Sequence, residues 1–264
     1  MPRLSVDIDL TYLPLNTREE ALADISKALQ SAADETRRVL NATVVEQKLP
    51  GTDHVVKLQV RRDGATIKVE PNIVLRGTIH KPVQAALCKK AETEFELSTT
   101  VLIAAPSDLY GGKICAALDR QHPRDLFDIK FLLDNEGLTD EIRKAFVVYL
   151  SSHDRPMHEL LNFKLKEIRP AFENEFKGMT TEPVELNVLL ETRQRLMSDI
   201  RNSLSKNEKN FLVSLNEGEP IWDLLELPGF EKLPAIKWKL ENIRKMDASK
   251  RAVHVDLLKR VLGF

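Results

Sequence analysis

Residues 6–10 read Val6-Asp7-Ile8-Asp9-Leu10, and the period of that run sets the fold reading. In a β-strand, residues two apart share a face. Asp7 and Asp9 then stand side by side, and Val6, Ile8 and Leu10 turn the other way, toward a core. Two adjacent carboxylates on a rigid strand repel each other unless a cation lies between them. Such a pair suits Mg²⁺, which takes oxygen ligands and is held by one or two carboxylates together with substrate phosphates. The plainer alternative is an edge strand with two solvated aspartates, and D-x-D is too short a pattern to choose.

Outward from this strand, the chain has 264 residues, enough for one large domain or two modest ones. Apolar residues make up 42% and charged residues 30%, the balance of a globular, soluble protein. A net charge of −1 means that any binding to a polyanion must come from a local patch. Cys88 and Cys115 match no metal-ligand or redox spacing. They read as small core residues in a reducing compartment, and the protein is expected in the cytoplasm. No run approaches the 18 apolar residues of a membrane span. The few residues before the Asp strand leave no room for a signal peptide.

Thr17 and Glu20 form a capping box, and Ala21, Ile25, Ala28, Leu29 and Ala32 mark one face of a helix running to about Leu40. Strand patterns follow at 43–47, 54–60 and 66–70, with Arg62-Asp63-Gly64 as a hairpin turn, and one more at 101–104. Helices are expected from Pro106 to Arg120 and from Arg124 to Asn135. Beyond Thr139 the pattern is helical: 139–151, 156–175, 185–205, 207–215, 234–246 and 249–262. The fold class is α/β (α+β), with a mixed sheet flanked by helices in residues 1–135 and a mostly helical domain in 136–264.

Three further clusters carry possible chemistry. Glu70 ends a strand whose polar face also holds Lys68, and a third carboxylate meeting the Asp pair would complete a Mg²⁺ site for displacement at phosphorus. Alone, Glu70 reads as a surface residue. Asp108-Leu-Tyr-Gly-Gly-Lys113 opens a helix on which Lys113 and Arg120 share a face. A lysine there neutralises phosphate as a point charge. The glycine pair costs helix stability, which is tolerated where another backbone or a ligand comes close. Arg124-Asp-Leu-Phe-Asp128 puts Asp125 and Asp128 on one helical face, opposite a core stripe of Leu126, Ile129 and Leu133.

The order of these clusters resembles the AbiEii/AbiGii nucleotidyltransferase toxins of the polymerase-β-like nucleotidyltransferase superfamily. The stretches that carry it are Arg3–Leu10, Ile67–Asn72 with Arg76-Gly77, Asp108–Arg120 and Arg124–Asp128. Ile236-Lys-Trp-Lys-Leu240 is similar more loosely. The resemblance implies a polymerase-β-like core, an NTP substrate, Mg²⁺, a bacterial cytoplasmic setting and an antitoxin encoded in the same operon. It implies that Asp7, Asp9 and Glu70 hold metal, with Glu70 completing the site or acting as base. Lys113 would contact the phosphates, Ser5 and Asp128 would join it in binding the nucleotide, and Asp125 would stand with the catalytic residues. The acceptor would be a tRNA 3′ end or a protein side chain.

Members of the family carry a Gly-Gly-Ser/Thr motif on a helix upstream of the Asp pair, and only six residues precede Asp7. The expectation is an N-terminally truncated form with an exposed apolar surface beside the first strand and weak NTP binding. The alternative is a catalytically impaired relative acting as a binding or regulatory module. In 231–264, nine Lys and Arg stand against four Asp and Glu. That is either an RNA-facing surface or, the preferred reading, an amphipathic helix pair with Trp238 packed inward.

Overall fold

The computed structural model describes residues 3–5 and 7–264. A four-stranded mixed sheet carries the first half. Its strands are β1 (Asp7–Thr11), β2 (Thr43–Lys48), β3 (Val55–Arg62) and β4 (Ala65–Asn72), in the order β1-β4-β3-β2. β1 runs parallel to β4, and the other pairs are antiparallel. Joining β1 to β2 is α1 (Arg18–Leu40), whose N-terminus carries the expected capping box: Glu20 N–H donates to Thr17 Oγ1 and Thr17 N–H to Glu20 Oε2.

Alternation divides the sheet into two faces. Ile25, Leu29 and Ala33 of α1 pack against Val44, Val55 and Leu58 to make a small core on one of them. The register Ile8–Val69–Leu58 puts Ile8 on that same face. α1 lies across β3 and β2, however, and does not cover the β1 end. Ile8 is 50% exposed, Leu10 42% and Ile67 45%. The expectation that Ile8 and Leu10 enter a core is thus corrected, and an apolar surface stands open beside β1. Val6 lies outside the described residues. The opposite face is polar and carries Asp7, Asp9, Lys68 and Glu70.

A two-stranded ribbon, β5 (Val83–Ala86) with β6 (Thr100–Ile103), precedes the helices and encloses a short α2 (Lys89–Phe95). Neither β5 nor α2 is expected from the sequence, since four and seven residues are too few to display a period. Cys88 stands at the N-cap position of α2 without a capping side-chain bond and is exposed, while Cys115 is buried. The reading of both cysteines as core residues therefore fails for Cys88.

α3 (Pro106–Arg120) and α4 (Pro123–Asn135) form a tight helical hairpin. Behind it lie α5 (Asp140–Ser152), α6 (Met157–Leu161), α7 (Arg169–Glu175), α8 (Leu186–Ser203), α9 (Lys206–Glu217), α10 (Pro234–Lys245) and α11 (Ala248–Leu262). The expected single helix 156–175 is two short ones. Pro170 lacks an N–H and stands in the first turn of α7, a helix start rather than an interior. One continuous apolar core runs from α3 through α11 and includes Leu126, Ile129 and Leu133 of α4. α3 approaches α5 closely because Gly111 has no side chain: a Cβ there would lie 2.9 Å from Ala145 C and Phe146 N. Trp238 is 50% exposed on α10, and the inward packing expected for it does not occur. Ile236, Lys239, Leu240 and Ile243 fill the buried face instead.

Candidate active site

A cavity of about 730 Å³ opens between the polar face of β1–β4 and the α3–α4 hairpin. Asp7, Asp9 and Glu70 line one wall, and Lys113, Arg120 and Arg124 line the other. The register explains the first wall. Asp7 pairs with Lys68 and Asp9 with Glu70 across parallel strands, so the side chains emerge together.

The three acidic groups are not equivalent. Among the described residues, Asp7 Oδ1 is buried and has no hydrogen-bond partner, and Lys68 Nζ pairs with it loosely at 3.8 Å. Glu70 is engaged by the Lys57 ammonium from β3. Among the described residues, no three His, Cys, Asp or Glu side chains gather closely enough to hold a metal ion. A buried carboxylate oxygen without a hydrogen bond, beside a second aspartate, fits a hard divalent cation, which Asp7 and Asp9 would hold. For Glu70 to join them, Lys57 must swing aside.

The helical wall is built as a ladder. Lys113 Nζ donates to Asp128 Oδ2 (2.6 Å), and seven residues along α3 Arg120 grips Asp125 in a fork (3.0 and 2.7 Å). Arg3 forks onto Asp128 from the chain start, Nε to Oδ1 at 2.6 Å and Nη2 to Oδ2 at 2.7 Å. Asp128 is fully buried. Burial pushes its pKa up, but the hydrogen bonds from Arg3 and the charge of Lys113 outweigh that and hold it below the usual carboxylate range. The Asp128 carboxylate thus anchors two cations at the edge of the cavity. Arg124 differs: its guanidinium makes no ion pair or hydrogen bond among the described residues, and it lines the cavity. Ser5 lines it too, with Oγ donating to Asp7 O (3.1 Å).

In the sequence Asp108 is no more than part of a helix start. In the fold it is buried and ties three segments together: it accepts from Ile79 N (2.8 Å), His80 N (3.0 Å) and Tyr149 Oη (2.8 Å). Arg3 has no role that the sequence discloses. Its partner lies 125 residues away, and no local pattern reports such a contact. For Arg124 a signal is present, in a basic residue beside Asp125 at a helix start.

A profile described as "Nucleotidyl transferase AbiEii toxin, Type IV TA system" matches residues 1–242. No curated protein matches. Among solved structures, the MenT4 nucleotidyltransferase toxin of Mycobacterium tuberculosis is similar, with a TM-score of 0.56 and 15% sequence identity over 98% of this chain and 78% of its own. At that identity the likeness is one of fold.

Proposed function

This chain belongs to the AbiEii family of nucleotidyltransferase toxins of type IV toxin–antitoxin systems, and from that premise we propose a Mg²⁺-dependent transfer of a nucleoside monophosphate from an NTP to an acceptor hydroxyl. The observation that carries the reading is the cavity itself, with the Asp7–Asp9 pair on one wall and Lys113 and Arg124 on the other. Carboxylates to hold a metal, facing cations to hold phosphates, are what in-line displacement at phosphorus requires.

In this reading Asp7 and Asp9 would hold Mg²⁺, which would supply charge neutralisation at the transferring phosphoryl group. Lys113 and Arg124 bind the NTP phosphates, and Asp128, through its grip on Lys113, fixes where that ammonium points. Ser5, at the cavity edge, contacts the nucleotide. Glu70, released from Lys57, takes the proton from the acceptor hydroxyl. The acceptor oxygen bonds to the α-phosphorus, the bond to the β-phosphate oxygen breaks, and pyrophosphate leaves. Asp125 keeps Arg120 on the cavity wall.

The acceptor is a tRNA 3′ end. Trp238 and Lys237 on the exposed side of α10 offer a base-stacking ring beside a cation, the chemistry of a single-stranded RNA surface. A cytoplasmic setting follows from these reactants, and no described helix is long and apolar enough to cross a membrane. An antitoxin encoded in the same operon is the expected partner.

The test is incubation with each labelled NTP in turn, with Mg²⁺ and total tRNA, beside an Asp9→Asn control. Label at the tRNA 3′ end with one NTP, lost in the control, supports the reading. Label on protein would move the acceptor to a side chain. No labelled product with any NTP would favour a non-transferring binding module, a reading to which the Lys57–Glu70 pair lends weight.

A further inference from the structure

Gln121 is the elbow residue between α3 and α4. It takes a left-handed backbone conformation (φ 54°) that residues other than glycine rarely adopt, and it is buried. Its neighbours Arg120, His122 and Arg124 face the cavity. The Gln121 side chain instead enters the helical half. Its Nε2 donates to Lys164 O (2.8 Å). Its Oε1 accepts from Lys166 N (3.0 Å) and from Arg193 Nη1 (3.0 Å). Arg193 Nη1 also donates to Lys166 O (2.9 Å), and Lys166 Nζ donates to Asp119 O at the end of α3 (2.8 Å).

Arg193 itself is unusual. It sits on α8, is only 6% exposed, and among the described residues no carboxylate hydrogen-bonds or ion-pairs with it. Its Nε is buried and makes no hydrogen bond among the described residues. Burial holds its pKa below the usual guanidinium value. The charge of Glu167 offsets that only in part and from beyond ion-pair distance, so the cation is unfavourable there, and an apolar side chain of similar size would pack without that penalty. Unfavourable backbone conformations persist where the surroundings over-determine them. Here an unfavourable cation and an unfavourable backbone meet, and each is held by hydrogen bonds shared with the other. What the arrangement delivers is a fixed direction for the turn that carries Arg120 and Arg124.

We propose that Arg193 is a positioning residue for nucleotidyl transfer: through Gln121 it locks the α3–α4 elbow and so aims Arg120 and Arg124 into the cavity. The step from elbow to nucleotide rests on the phosphate reading given above. The helical half is then the jig that sets one wall of the cavity.

The test compares Arg193→Met, Arg193→Lys and Gln121→Ala with Leu258→Ala, which opens the core under α11 away from the elbow. Two quantities are read: hydrogen exchange of the amides of 119–126, and calorimetric binding of ATP, GTP, CTP and UTP, each with Mg²⁺. Arg193→Met and Gln121→Ala should speed elbow exchange about tenfold and weaken NTP binding about tenfold, with partial recovery in Arg193→Lys. Leu258→Ala should lower the melting temperature and change neither. Equal elbow exchange in Arg193→Met and Leu258→Ala overturns the proposal, as does faster exchange with unaltered NTP affinity. If the native chain binds none of the four NTPs, the phosphate reading fails, and elbow exchange alone decides whether Arg193 holds the turn.

Discussion

Lys113 Nζ lies 2.6 Å from Asp128 Oδ2, the same oxygen that Arg3 Nη2 reaches at 2.7 Å. One buried carboxylate therefore organises two cations that arrive from α3 and from the chain start. A lysine on an otherwise solvated helix face would swing among rotamers, whereas this one is fixed at the edge of the cavity. The same pairing means that Lys113 has a structural role as well as a chemical one.

Asp128→Asn should therefore cost about 2–4 kcal/mol of stability, because it leaves two cations without their buried partner. The sign of the pH dependence follows from the depressed pKa of Asp128. Its contribution is fully present above the unfolded value, near pH 4, and is lost as pH falls through the folded one. Urea unfolding of native and variant proteins at pH 7 and pH 3 measures it. The difference between the two should shrink at the lower pH, and a constant difference would deny Asp128 its charged role. Lys113→Ala should cost less than Asp128→Asn, since Arg3 still neutralises the carboxylate.

Asp7→Asn and Asp9→Asn should each lower turnover about 1,000-fold, equivalent to about 4 kcal/mol of barrier. Their melting temperatures should hold or rise, because each change relieves repulsion between neighbouring carboxylates at little cost in buried contacts. Mg²⁺ with NTP should raise the melting temperature of the native protein by mass action and leave that of either variant in place. Thermal melts with and without Mg²⁺–NTP read this directly. A variant that retains native turnover would remove the Asp pair from the chemistry.

Gly111 and Gly112 make an internal control. Gly111→Ala forces a Cβ to within 3.0 Å of the α5 backbone and should cost about 1–3 kcal/mol through overpacking. A methyl group at Gly112 would have no neighbour within 4 Å, so Gly112→Ala should raise helix stability by about 1 kcal/mol. Denaturant midpoints for the two variants should move in opposite directions.

Lys239 donates to the carbonyls of His153 (2.7 Å), Asp154 (3.3 Å) and Arg155 (2.8 Å) beyond the end of α5. Burial pushes its pKa down to about 8. Between that value and the unfolded one, near 10.4, the unfolded chain binds more protons than the folded one, so this group makes stability rise with pH. Burial lowers the pKa of the adjacent His153, so that ring titrates below this window. Unfolding midpoints from pH 7 to 10 should rise more steeply for the native chain than for Lys239→Met, and parallel curves would show that the carbonyls hold the ammonium at its ordinary pKa.

Period and capping are local properties, and they are legible in the sequence. The alternation of Val6 to Leu10 places both aspartates on one face, the Thr17–Glu20 box starts α1 where the structure starts it, and the glycine pair marks a close approach that Gly111 makes to α5. Glu70 is legible as a strand residue on a polar face, and the register with Asp9 brings it beside the pair. Short elements are not legible, because β5 and α2 are too brief to show a period, and Pro170 divides a helical pattern whose apolar spacing gives no warning.

For the long, strongly periodic elements, the sequence by itself determined which residues share a face. The tertiary structure alone decided who meets whom. Lys57 holds Glu70, Arg3 and Lys113 share Asp128, and Arg193 holds Gln121 from 72 residues away. It also decided exposure: Ile8 and Leu10 stand open because α1 crosses β3 and β2, and Trp238 faces solvent because Ile236, Lys239 and Leu240 take the buried side of α10. The physical reason is the same in each case. Propensity and period act over a few residues, whereas ion pairs and burial depend on distances fixed only when separate segments pack.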